Sequence, residues 1–295
     1  RLLDTVSRIQ QAGGCTRPLQ ILPPQWDLLL DVFEETFPNF IAVADYLRDH
    51  FSLASIGNKA IHFPPLLLVG EPGIGKTEAA RWLANRLNVP FCMIDMASAQ
   101  TGAALSGSER FWTNSRSGQV FETLCFETFA NPIIMLDELD KTLGDARFDP
   151  FAPLYTLLEP SSAQTFVDLS IGDFAINASR VNWIATANSL EAIPRPIQTR
   201  LTVIHIQTPS PEQARCITRN IYKRILAEGD WGDFFKPDLE EGIVDILISH
   251  PPRVVKIALT RALGSAARHQ RHAIGFSDLV LPHTQHPRGI GFLAI

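Results

Sequence analysis

Lys76 and Thr77 close a turn that reads Gly70-Glu71-Pro72-Gly73-Ile74-Gly75-Lys76-Thr77. Glycines in such a turn let the backbone curl until successive N–H groups point inward, and the start of a following helix adds positive field. The result is a cradle for an anion. A lysine ammonium at its edge meets the β and γ phosphates of a nucleotide, and the adjoining hydroxyl completes the coordination of a magnesium ion. The turn matches G-x-x-x-x-G-K-[ST] at every fixed position, so Glu71, Pro72, Gly73, Ile74, Gly75, Lys76, Thr77 and Glu78 are the expected nucleotide-binding residues. ATP and Mg2+ are the ligands this chemistry implies.

Two further groups belong with it. Ile133-Ile134-Met135-Leu136-Asp137-Glu138 is an apolar run ending in two acids, the Walker B arrangement. On a buried parallel strand the carboxyl end opens onto the nucleotide, where Asp137 can hold magnesium and Glu138 can orient the attacking water. Asn188 ends a second apolar run, at residues 181–187. Its amide could hold the same water from the other side, or it could be an ordinary turn asparagine.

These residues need a scaffold. Leu66 to Val69 is a short apolar run with the ends of a buried strand, and residues 75–87 read as the helix after the phosphate turn. A strand is expected at 90–96, helices at 118–130 and 151–159, a weak hairpin at 164–177, and strands at 181–187 and 202–206. Asn131-Pro132 marks a break. Alternating β and α segments imply an α/β fold with a doubly wound parallel sheet and helices on both faces. Before it, helical spacing appears at 1–12, 26–37 and 41–53, with residues 18–24 reading as extended linker. Among the aromatic residues here, Phe40 or its neighbour Ile41 is a candidate adenine contact, although core packing is the commoner role.

Beyond Thr208-Pro209-Ser210-Pro211 the pattern becomes wholly helical, at 212–228, 239–249 and 253–271, which implies a separate small all-helical domain. Arg253 falls in the first turn of the last helix, where positive charge is unfavourable by roughly 0.3 to 1 kcal/mol. A phosphate would justify it, or Arg253 could belong with Lys256, Arg261, Arg268 and Arg271 to a solvated face or a nucleic-acid stripe. The expected divisions are a helical and linker segment at 1–36, a nucleotide-binding domain at 37–207, a helical lid at 208–282 and a tail at 283–295.

Composition sets the limits. The 295 residues are 45% hydrophobic and 19% charged, enough for a packed core and unlike a disordered chain. There is no apolar run of membrane-spanning length and no export signal at the start, so no membrane association is expected. Cys15, Cys92, Cys125 and Cys216 are scattered without a CxxC pair, which suits reduced thiols in the cytoplasm. A net charge of −5 disfavours nonspecific nucleic-acid binding, without excluding a motor on DNA.

The order of parts resembles one superfamily, the AAA+ ATPases, and within it most nearly the ATPase module of Lon-type proteins. The similarity covers residues 37–281 and is carried by GEPGIGKT, TGAALSGSER, NPIIMLDELDK, DARFDPFAPLYTLLEPSSAQTFVDL, WIATANSLEAIPRPIQTRLTVI and HPPRVVKIAL. The resemblance implies that Asn188 is sensor 1, Arg253 is sensor 2, and Arg200 is an arginine finger offered to a neighbouring subunit, with Arg195 a weaker candidate. It also implies self-association into a ring, with a hexamer expected, and hydrolysis coupled to remodelling or unfolding of a macromolecule, most simply a protein. A nucleotide-gated scaffold with little turnover is the alternative. Two departures matter. The positions matching the substrate-gripping pore segment are Trp112-Thr113-Asn114, which keep the aromatic and lose the hydrophobic neighbour and the glycine. The residues after the expected lid, PHTQHPRGIGFLAI, are too few for a serine-lysine peptidase domain, so an ATPase without its peptidase is expected.

Overall fold

Every residue of the strand Leu66–Val69 (β1) is buried, and its side chains alternate between two cores. Leu66 and Leu68 enter one, Leu67 and Val69 the other. A strand covered on both faces must be apolar at each position, which is why this run carries no polar alternation. The same division recurs in the strand Ile133–Asp137, with Ile133 and Met135 on one side and Ile134 and Leu136 on the other.

A computed structural model describes residues 2–98, 102–109, 115–142, 149–172 and 174–281. Three helices precede the sheet: α1 (Leu2–Gln11), α2 (Trp26–Thr36) and α3 (Ile41–Ile56). After β1 come α4 (Lys76–Leu87), β2 (Phe91–Asp95), α5 (Ala103–Ser106), α6 (Gln119–Phe126), β3 (Ile133–Asp137), α7 (Ala152–Leu157), α8 (Pro160–Ala163), β4 (Asn182–Ala187), α9 (Arg195–Gln198) and β5 (Thr202–His205). The five strands are all parallel in the order β2-β3-β4-β1-β5, so β1 lies between β4 and β5. The doubly wound parallel sheet is therefore present. Among the described residues no helix is long and apolar enough to cross a membrane.

One core holds α2, α3 and α4 against the sheet through Phe33, Phe37, Phe40, Leu47 and Leu83; the other holds α6 and α7 through Val120, Leu124 and Leu154. Trp82 joins the aromatic group, its ring 5.6 Å from that of Phe33.

The stretch at 18–24 is extended but is no free linker. Ile21 bridges Ala60, and the amide of Asn131, wholly buried, accepts from Gln20 N at 2.8 Å and donates to Gln20 O and Ile61 O at 2.9 Å. Asn182, also wholly buried, accepts from Phe63 N at 3.0 Å and donates to Asn131 O at 3.1 Å. Two buried amides thus satisfy backbone groups that would otherwise be stranded at the amino ends of β3 and β4.

Other departures from the periodic reading have local causes. The helix expected to reach residue 130 stops at Phe126, where the Arg17 guanidinium takes the carbonyls of Cys125 and Glu127 at 2.5 and 3.1 Å and ends the helix from outside. The hairpin expected at 164–177 is reduced to one antiparallel bridge, Phe166 to Ile176. A short helix, α5, lies where none was expected.

The chain divides between Thr208 and Pro209 into two compact units. The second contains α10 (Pro211–Glu228), α11 (Glu241–Leu247) and α12 (Pro252–Arg268), packed through Ile217, Tyr222, Leu247, Leu259 and Leu263. Ser210 starts α10 in a capping box: its hydroxyl accepts from Gln213 N while its own N–H donates to Gln213 Oε1. The last helix ends at Arg268 rather than Arg271: Gln270 takes a left-handed φ of +53° and Arg271 N donates back to Ala266 O at 2.9 Å, while the Arg271 side chain pairs with the buried carboxylate of Asp278 at 2.6 and 2.7 Å.

Candidate functional site

The site lies at the carboxyl ends of β1, β3 and β4. Gly73 and Gly75 take left-handed φ values of +81° and +104°, a region that only glycine enters freely, and they turn the chain from β1 into α4. Ile74 between them is buried in the aromatic core and anchors the loop, whereas Glu71, Pro72 and Gly73 are exposed. Glu71 is tied down on one side, its carboxylate accepting from the Thr208 hydroxyl at 3.3 Å. Glu78, half-buried in the first turn of α4, complements the helix dipole.

Lys76 begins α4 and is 9% exposed. Its ammonium donates to Gly70 O at 2.5 Å, Glu71 O at 3.0 Å and Asn188 Oδ1 at 3.4 Å. Burial pulls its pKa below the ordinary lysine value, and the charges of Asp140, Asp137 and Glu138 oppose that shift. A desolvated cation resting on neutral oxygens has an unmet demand for negative charge, which a phosphate satisfies.

Asp137 ends β3, and its carboxylate oxygens both lie 3.4 Å from the Thr77 hydroxyl. Two hard oxygen donors at this separation fit magnesium, which takes few protein ligands and completes its shell with water and phosphate. Among the described residues there is no cluster of three His, Cys, Asp or Glu that could hold a metal ion. A third residue organises the acids. The Thr186 hydroxyl, 1% exposed in β4, donates to Asp137 Oδ1 at 2.6 Å and accepts from Glu138 N at 3.0 Å.

Glu138 has a left-handed φ of +55°, unusual for a residue with a side chain and costing about 1 to 3 kcal/mol. The strain turns the chain sharply off β3 into a 3-10 turn over Leu139–Lys141. The carboxylate of Glu138 pairs with the Lys141 ammonium at 2.5 Å. Asn188, at the tip of β4, lies with its Oδ1 3.4 Å from the Lys76 ammonium.

Other expected residues have different surroundings. Arg200 donates to Pro196 O at 2.6 Å; its Nε is 4.0 Å from Glu159 Oε2 and its guanidinium sits 5.8 Å from the Tyr155 ring centre. Arg195 is exposed at the start of α9, and Arg253 is exposed in the first turn of α12, in the second unit. Phe40 is fully buried, 5.9 Å from Phe37 and 6.4 Å from Phe33, and so is a core residue; Ile41 beside it is half exposed. Trp112, Thr113 and Asn114 lie outside the described residues. Three contributors escaped the sequence reading: Thr186, Asp140 and Lys141. A lone hydroxyl in the apolar run 181–187 and the acid-rich LDELDK were the available signals.

Residues 66–209 match the family described as "ATPase family associated with various cellular activities (AAA)". These residues form an AAA+ ATPase domain. The chain's sequence relatives are of the Lon type: it is 29% identical over 248 residues to "Lon protease homolog 2, peroxisomal" of Oryza sativa subsp. indica, covering 79% of this chain and 28% of that one. Against "Lon protease 1" of Thermus thermophilus it is 35% identical over 158 residues, 54% of this chain and 20% of the relative. The chain therefore spans about a quarter of these relatives' length. Its fold is similar to that of a RuvB point mutant of Thermotoga maritima, with a TM-score of 0.53 at 14% identity, over 80% of this chain and 67% of that one.

Proposed function

We propose that this AAA+ module binds ATP with magnesium and hydrolyses it at the interfaces of a ring, with six subunits expected, and that turnover drives remodelling or unfolding of a protein. The observation that carries the nucleotide reading is the buried Lys76 ammonium, held on Gly70 O and Glu71 O within reach of Asn188. On binding, Lys76 exchanges these neutral acceptors for phosphate oxygens. Thr77 and Asp137 are the residues that would hold magnesium, which when bound neutralises charge between the β and γ phosphates. Glu138 and Asn188 hold the attacking water from two sides, and Arg200 of a neighbouring subunit answers the charge that develops. In solution, the mass of the complex is expected to rise to that of a ring when ATP is added, together with phosphate release. A monomer that releases phosphate at full rate would overturn the interfacial part of this reading.

Arg253 is assigned to the γ-phosphate. A charge-assisted contact is worth roughly 1.5 to 3 kcal/mol, so Arg253→Ala should reduce the preference for ATP over ADP about tenfold or more. Equal losses for both nucleotides, measured by calorimetry, would make the arginine structural.

One observation favours a second reading, a nucleotide-gated scaffold with little turnover. The Glu138 carboxylate is engaged by Lys141 rather than left open toward the phosphate loop. Phosphate release by the assembled protein separates the two.

A further inference from the structure

Asn188 has to hold its side-chain amide still, yet it stands at the tip of a strand where the chain turns away and the sheet no longer fixes it. The backbone there is secured by one group. Asp140 Oδ2 accepts from Asn188 N at 3.0 Å and from Ser189 N at 3.3 Å, and the same Asn188 presents Oδ1 to Lys76 at 3.4 Å. Asp140 is itself well anchored. It sits in the 3-10 turn Leu139–Lys141, whose first residue is fully buried and whose last donates its N–H to Glu138 O at 3.0 Å. Its second oxygen, Oδ1, is buried with no hydrogen-bond partner among the described residues. A carboxylate kept half-satisfied out of water is unfavourable and calls for a role beyond filling space.

We propose that Asp140 is a positioning residue for hydrolysis: by clamping the main-chain N–H groups of Asn188 and Ser189, it fixes the Asn188 amide beside Lys76 and so ties the end of β3 to the tip of β4. The proposal rests on the reading of Asn188 as a water-holding amide. Asp140 acts through Asn188, so it belongs to kcat more than to nucleotide affinity.

The test is a kinetic cycle on the full chain combined with amide hydrogen exchange. Asp140→Ala should lower kcat for phosphate release by about 10- to 100-fold while the ATP dissociation constant moves less than about threefold. In an Asn188→Ala background the same change should cost less than about twofold more, because a residue acting through Asn188 has nothing left to position. Asp140→Asn keeps a carbonyl oxygen for the two N–H groups and should retain kcat within about threefold. Exchange of the Asn188 and Ser189 amides should speed about tenfold or more in Asp140→Ala, with the α4 amides unchanged. Should Asp140→Ala not fold, Asp140→Ser, too short to reach both amides, carries the same expectations. Additive losses in the double variant, an affinity loss as large as the kcat loss, or unchanged exchange at Asn188 would each overturn the proposal. If the wild type releases no phosphate, the functional reading falls, while the exchange measurement still decides whether Asp140 is the clamp.

Discussion

Lys76→Ala is expected to lose ATP binding, whereas Glu138→Gln is expected to bind ATP and retain it unhydrolysed. The first outcome follows from burial: the cation is 9% exposed and held by backbone carbonyls, so its removal leaves the phosphates facing neutral oxygens in a desolvated pocket. Each charge-assisted hydrogen bond lost is worth roughly 1.5 to 3 kcal/mol, so contacts to two phosphate oxygens together exceed a hundredfold in affinity. The second outcome follows from position. Glu138 stands one residue beyond Asp137, with its N–H fixed by Thr186, so an amide in its place keeps the backbone turn, gives up the exposed ion pair with Lys141 and can no longer take the water proton. Nucleotide retention and phosphate release, measured on both variants, check the pair. Wild-type turnover in Glu138→Gln would remove the role given to that carboxylate.

The other large effect concerns assembly. Arg200 is held against α7 and α9, by Pro196 O, Tyr155 and Glu159, and those contacts do not include the Lys76 cluster of its own subunit. An arginine supplied in trans is worth about 10³ to 10⁵ in rate, so Arg200→Ala should be nearly inactive although its own phosphate loop is intact. Mixing Arg200→Ala with Glu138→Gln subunits should then restore part of the activity, because some interfaces pair a whole finger with a whole water-holding site. If mixed assemblies form, by mass, and remain as inactive as their components, Arg200 acts elsewhere.

What the sequence made legible was local. The strand-loop-helix around Lys76 and the acids ending β3 each declare themselves within a dozen residues, whereas the asparagine ending β4 reads equally as a turn residue until β4 pairs with β1 and brings it to Lys76. What stayed hidden depends on contacts between distant segments. Thr186 looks like any strand threonine until β3 and β4 pair and bring it to Asp137. Residues 18–24 have the composition of a linker, and it takes the buried amide of Asn131 and the backbone bonds to Lys59 and Ile61 to make the segment part of the domain. The end of α6 is set by Arg17, more than a hundred residues away in the chain. Helix periodicity carries no information about such partners.

The central place of β1 has a consequence for how the molecule comes into being. Both strands that flank β1 are made after it: Leu66 pairs with Ile184 on one side and Thr202 on the other. A chain emerging from the ribosome therefore carries its glycine-rich loop for more than a hundred residues of synthesis with no sheet to hold it. Loop-closure entropy over that distance must be overcome before the long-range pairings form, which makes this a slow and late step in folding. The glycine-rich loop is thus written early and gains the two strands that flank β1 only after more than a hundred further residues are made.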